Sequence, residues 1–151
     1  MAVKDLAAPV REMYEAWNAK DLDRCAAYAH PDARITNVPF GAKMSYREHI
    51  ESWARAFPDG KIEVTNIVVQ GDNVIAEFTG RGTHTGPLKG PAGDIQPTGR
   101  RVEMACVESY RFRDGKIAEA RMYYDAFSMM RQLGVGAPPE RSATQAQEAR
   151  H

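Results

Sequence analysis

The chain has 151 residues, 43% of them apolar, with twenty basic and twenty acidic side chains and a formal net charge of zero. That length suffices for one domain with a proper core. Balanced charge without a Lys/Arg-rich run argues against a nucleic-acid partner, and no apolar run reaches membrane-spanning length. The first residues, "MAVKDLAAPVREMYEAW", are interrupted by Asp5, Arg11 and Glu12 and lack the apolar core of a signal peptide. Cys25 and Cys106 lack metal-site spacing and read as free buried thiols. A cytoplasmic protein is the expectation.

Leu6, Val10, Met13, Tyr14 and Trp17 recur at helical spacing and predict a first helix. Asp21 can cap a short second helix bearing Leu22, Cys25 and Ala26, which Pro31 ends. "ARITNV" reads as a short strand containing the polar Asn37, and "PFGAKM" as a loop. Ser45 and Glu48 have capping-box spacing at the start of a third helix, whose apolar stripe is Tyr46, Ile50, Trp53, Ala54 and Phe57. His30, beside a turn proline, and His49, on a helix flank, carry no evident chemistry.

Beyond "PDG" the pattern is strand-like. "KIEVTNIVVQ" turns at "GDN" into "VIAEFTGRGTHT". A Gly- and Pro-dense stretch, "GPLKGPAGDIQPTGR", predicts a long loop. "RVEMACVESYRF" and "KIAEARMYYD" are joined by Asp114-Gly115, a hairpin signal. "AFSMMRQL" is a closing helix stopped by Gly134. The reading is one domain over residues 1–134 and a mobile, dispensable tail over 135–151. Segregated helices and a strongly curved, mostly antiparallel sheet define an α+β fold: three helices in the N-terminal half, a cone-shaped pocket and a short C-terminal helix.

A two-residue turn at Asp114-Gly115 pairs Phe112 with Ile117, Glu108 with Arg121, Cys106 with Tyr123 and Met104 with Asp125. One face then holds apolar residues together with Glu108, Arg121 and Asp125. Glu108 and Arg121 are expected to be partners, since a buried charge needs one. Asp125 would point inward at a strand end, where burial raises a carboxyl pKa and favours a general base. It also precedes a helix, and an N-cap is the competing reading. The opposite face bears Ala105, Val107, Ala118, Ala120 and Met122. His84 shares a side of its strand with Phe78, Gly80 and Gly82, and the glycines mark a bend or a floor that a ligand approaches. Tyr14 and Trp17 sit on the apolar stripe of the first helix, with core packing as their default role. No zinc motif, phosphate loop, dinucleotide fingerprint or nucleophile elbow is present.

"YEAWNAKDLD", "GRGTHTG" followed by "PTGRRV", "YRFRDGKIAEARMYYD" and the closing "QLG" occur in an order that resembles the SnoaL-like polyketide cyclases. That family has the nuclear transport factor 2-like, or cystatin-like, fold. The resemblance runs from about Leu6 to Gly134. It implies a homodimer and a cone-shaped pocket for a small hydrophobic carbonyl or polyketide-like ligand, often with no metal or organic cofactor. It also implies that Asp125 is the acid/base group of an aldol ring closure, with His84 as a pocket residue and Tyr14 as an aromatic ligand contact. The leading reading is a cofactor-free enzyme of the cyclase or isomerase type, with Asp125 and His84 as catalytic residues: Asp125 the base, and His84 or Tyr14 the hydrogen-bond donor to the enolate oxygen. Trp17, Asn37, Trp53, Phe78, Glu108, Arg121 and Tyr123 complete the expected substrate-binding set. The loop before "PTGR" is longer than is usual in the family, which would reshape the pocket mouth. Two other functions fit the same residues: epoxide hydrolysis using Glu108, Arg121, Asp125 and a water, and a non-catalytic ligand-binding or dimer-scaffold role.

Overall fold

A computed structural model describes residues 5–135. The tail expected over 135–151 therefore lies, from residue 136 onward, outside the described residues. Helix α1 (Ala7–Asn18) is followed by α2 (Leu22–Ala26), then strands β1 (Ala29–Asn37) and β2 (Ala42–Ser45) and helix α3 (Tyr46–Ala56). Strands β3 (Lys61–Gln70), β4 (Asn73–Thr83), β5 (Leu88–Gly90), β6 (Gly93–Ile95), β7 (Arg101–Arg113) and β8 (Lys116–Tyr124) follow, and α4 (Ala126–Leu133) closes the fold. Six strands form one sheet in the order β2-β1-β8-β7-β4-β3, antiparallel except for the β1–β8 pair. The α+β class inferred from the pattern is the class observed.

The caps read from sequence act where expected. The Asp21 carboxylate accepts from Arg24 N–H, the Ser45 hydroxyl from Glu48 N–H and the Asp125 carboxylate from Ser128 N–H. Gly134 ends α4 at φ 71°, a left-handed position that suits glycine. Two regions depart from the reading. Pro31 lies within β1, where pairing to β8 is broken between Ala29 and Arg34, so its missing N–H costs no ladder bond. The stretch expected to be a long loop contains the β5–β6 hairpin, which pairs Leu88 with Ile95.

The third departure moves side chains. Asp114 and Gly115 both have positive φ, 51° and 77°, as a two-residue turn demands, and Arg113–Lys116 and Phe112–Ile117 pair as anticipated. The ladder then shifts. Arg111 faces Glu119, so Ala118 is an extra residue, a β-bulge. Every later residue of β8 is turned over. Arg121 lies opposite Ser109 and is exposed, Tyr123 lies opposite Val107 and is exposed, and Met122 lies opposite Glu108 in the core. The expected Glu108–Arg121 partnership is therefore corrected, as is the outer-face placement of Ala120 and Met122, both buried.

The core fills the space between the helices and one sheet face. Val10, Met13, Tyr14 and Trp17 of α1 meet Tyr46 and Ile50 of α3 and the inward residues Val74, Ala76, Phe78, Cys106 and Tyr110 of β4 and β7. A second cluster, of Phe57, Leu88, Val102, Met129 and Leu133, ties the hairpin and α4 to the end of the sheet.

Candidate active site

On β7, burial alternates so that Val102, Cys106, Glu108, Tyr110 and Phe112 face inward. Glu108 is the charged member of that row and is only 3% exposed. A carboxylate in such a place needs compensating donors. Tyr14 of α1 donates its hydroxyl to Glu108 Oε1 at 3.1 Å. The Tyr110 hydroxyl lies 2.9 Å from that of Tyr14, and with the Tyr14 proton committed to Glu108, Tyr110 is the donor. Oε2 of the same carboxylate is buried without a hydrogen-bond partner among the described residues. His49 Nε2 lies 3.3 Å from it, close enough for an ionic contact but out of line for a hydrogen bond.

Tyr14, His49 and Glu108 border a cavity of about 70 Å³ between α1, α3 and the sheet. Its walls are otherwise largely apolar, with Trp17, Trp53, Phe57, Phe78, Met104 and Met122 among them. Trp17 is held by its indole N–H, which donates to Ile50 O at 3.1 Å. His49 is stacked on Tyr46 and meets the edge of Trp53, at centroid distances of 6.0 and 6.4 Å. The floor is glycine where β4 passes beneath. A Cβ on Gly82 would stand 2.9 Å from the Phe57 Cβ, whereas one on Gly80 would meet nothing closer than Phe78 at 3.9 Å. Gly82 thus allows close packing, and Gly80 leaves open space.

Burial governs the ionisation of the surrounding groups. It raises the hydroxyls of Tyr14, Tyr46 and Tyr110 well above the usual tyrosine range, and the Glu108 charge adds to the rise. The thiols of Cys25 and Cys106, which also line the cavity, are pushed up to about 12 by burial first and Glu108 second. All of these are neutral donors near pH 7. Among the described residues no group of three or more His, Cys, Asp or Glu could hold a metal ion.

Of the residues expected from sequence, Tyr14, Trp17, Trp53, Phe78 and Glu108 line this cavity. Asn37 lies nearby, its amide exchanging two hydrogen bonds with the Tyr124 hydroxyl at 2.9 and 3.0 Å. His84 is fully buried behind the Phe57 ring. Its Nδ1 accepts from Thr98 N–H at 3.2 Å and lies 3.0 Å from the Thr98 hydroxyl, while Nε2 is buried without a hydrogen-bond partner among the described residues. Burial holds its pKa below the ordinary histidine value. Arg121 and Tyr123 are on the outer face, which corrects their expected inward orientation. Asp125 is exposed and caps α4, so the inward placement inferred for it is corrected too. The constellation of Glu108, Arg121 and Asp125 needed for epoxide hydrolysis is split across the sheet.

His49 was missed. The available signal was its spacing: it falls three residues after Tyr46 and four before Trp53, on the stripe that faces the sheet.

An α+β sheet with helices over one face and a largely apolar cavity holding one buried carboxylate defines a small-molecule site. Residues 7–133 match the family model for SnoaL-like polyketide cyclases, and the chain belongs to that family. Aklanonic acid methyl ester cyclase AcmA of Streptomyces galilaeus is 29% identical over 132 residues, which cover 84% of this chain and 89% of that protein. Among solved structures, AclR of Streptomyces galilaeus, provisionally described as a hydroxylase, is 30% identical with a TM-score of 0.73, covering 97% of this chain and 90% of its own. IdmH of Streptomyces antibioticus, provisionally described as a polyketide cyclase, is 31% identical with a TM-score of 0.69, covering 87% of this chain and all of its own. Family and relatives together support a cyclase-type function.

Proposed function

We propose that the protein is a cofactor-independent acid/base cyclase that closes a ring by intramolecular aldol addition in a polyketide-like carbonyl compound, with Glu108 as the base. The observation that carries this reading is Glu108 itself. Its Oε1 is occupied by Tyr14, while Oε2 is buried, has no hydrogen-bond partner among the described residues and is set in the wall of an otherwise largely apolar cavity.

In the proposed step Oε2 takes a proton from a carbon beside a carbonyl, and the C–H electron pair moves onto that carbonyl oxygen as an enolate. The His49 imidazole, packed between Tyr46 and Trp53 with its Nε2 3.3 Å from Glu108 Oε2, is the group assigned to hydrogen-bond the enolate oxygen. The enolate carbon then bonds to a second carbonyl carbon, whose oxygen receives the proton held by Glu108. Substrate and product are isomers, and Glu108 ends in its starting state. Apolar walls keep water from quenching the enolate.

The test uses aklanonic acid methyl ester, the compound named for the relative AcmA. The wild-type protein should yield a cyclised product of unchanged mass. Glu108→Gln should lower turnover by roughly a hundredfold or more, the usual scale for a lost general base. A product that has gained an oxygen atom, or full activity in Glu108→Gln, would overturn the proposal.

A further inference from the structure

Two tyrosines, Tyr14 and Tyr46, line the cavity that holds Glu108, and their hydroxyl protons have different acceptors. That of Tyr14 is bound to the Glu108 carboxylate at 3.1 Å, a charge-assisted bond and so of the stronger kind. That of Tyr46 is bound to Met13 Sδ at 2.9 Å. A thioether sulfur is a weak acceptor. The Cys25 thiol beside the same hydroxyl is another weak one, and the neighbouring Tyr110 has its own proton on Tyr14.

Local structure places this hydroxyl. Tyr46 is the first residue of α3, directly after the Ser45 cap, and its buried ring stacks on that of His49. Burial first, with Cys25 and the Glu108 charge after it, holds the phenol well above the usual tyrosine range. It therefore keeps its proton and acts as a donor. Moving that proton from sulfur to a ligand oxygen gives up only a weak bond. Moving the proton of Tyr14 would strip the buried carboxylate of its donor, which is the costlier change. Tyr46 is accordingly the cavity hydroxyl that a ligand can recruit.

We propose that Tyr46 is a second oxyanion donor: as the enolate forms, its hydroxyl turns from Met13 Sδ to the enolate oxygen and shares that oxygen with His49. The proton stays on Tyr46 throughout, and only its acceptor changes. An oxygen gaining negative charge is a far better acceptor than a thioether. The bond is thus stronger in the transition state than in the resting protein, which is the condition for it to speed the reaction. This rests on the reading of Glu108 as the base, since that base creates the enolate.

The test needs no natural substrate. After proton transfer the site holds a neutral Glu108 and an oxyanion, and Glu108→Gln with 4-nitrophenolate reproduces that pair of charges. The neutral control is 4-nitroanisole, which has the same ring. Binding is measured by calorimetry and by the absorbance of the bound anion, at a pH where the free phenol is ionised. Adding Tyr46→Phe to Glu108→Gln should weaken 4-nitrophenolate by about tenfold or more and 4-nitroanisole by no more than about twofold. Adding Met13→Leu instead removes the resting acceptor and should leave the anion bound at least as tightly. Both substitutions nearly conserve side-chain volume, and thermal melts check the fold. Equal losses for the two ligands in Tyr46→Phe, no loss for the anion, weaker anion binding in Met13→Leu, or failure of Glu108→Gln to bind the anion would overturn the proposal. Turnover of the single variant Glu108→Gln decides the base separately, so the two readings can fail independently.

Discussion

Asp125 follows the end of β8 and Glu108 lies midway along β7, and the two acidic residues meet opposite environments. Asp125 is exposed and its carboxylate accepts from Ser128 N–H. Asn caps helices about as well as Asp, so Asp125→Asn should keep both stability and turnover, while Asp125→Ala should lose about 1 kcal/mol in chemical denaturation. A large loss of turnover in Asp125→Asn would restore the base to that position. His84 supports a pH prediction. Its folded pKa lies below the unfolded value of about 6.5, so the unfolded chain binds the proton more tightly. Its contribution to stability is full above that value and is lost as pH falls through it toward the folded pKa. The melting temperature should therefore drop on acidification below about pH 6.5, and His84→Asn should flatten that part of the curve. A curve of unchanged slope in the variant would show that other groups set the acid limit.

The elements themselves were legible where a physical rule acts locally. The stripe of α3, the caps at Asp21, Ser45 and Asp125 and the Asp114-Gly115 turn all depend on a few neighbouring residues. The bulge at Ala118 does not. Nothing in "KIAEARMYY" marks it, because the choice between two registers is made by which side chains fit the core. Tyr110, fully buried, takes the small Ala120 as its cross-strand neighbour, and Met122 rather than Arg121 goes inside. This one extra residue turns Arg121 and Tyr123 to the outer face, where a regular two-residue hairpin would point them inward, while Glu108 on β7 keeps its inward place. Deleting Ala118 removes the extra residue and leaves a regular ladder in which Ala120 still meets Tyr110 and Met122 still meets Glu108, so the variant should keep a sharp thermal transition. A deletion variant that loses that transition would mean that the bulge itself, and not the fit of Ala120 and Met122 to the core, holds the register.

Across the whole molecule the sheet has one face under the helices and one left open. Residues of that open face are Ile75, opposite Ser109, and Val107, opposite Tyr123; Ile75 is 37% and Tyr123 40% exposed. Large exposed apolar side chains on adjacent strands are a common mark of an association surface. A homodimer joined through this face is the proposal, and sedimentation at micromolar concentration should show it. Tyr123→Glu should shift the protein toward monomer with its fold intact. A wild-type protein that sediments only as a monomer would refute this assembly.

The two cavity thiols carry a further chemical consequence. Carbonyl compounds conjugated to a double bond alkylate soft nucleophiles such as thiolates. Held at about 12, Cys25 and Cys106 exist as thiolate in only about one molecule in 10⁵ near neutral pH, and the thiolate is the reactive form. Burial and the negative charge of Glu108 thus keep both thiols unreactive toward electrophiles. The native protein should resist iodoacetamide for hours at pH 7, and mass spectrometry after denaturation should find both sulfurs free to react.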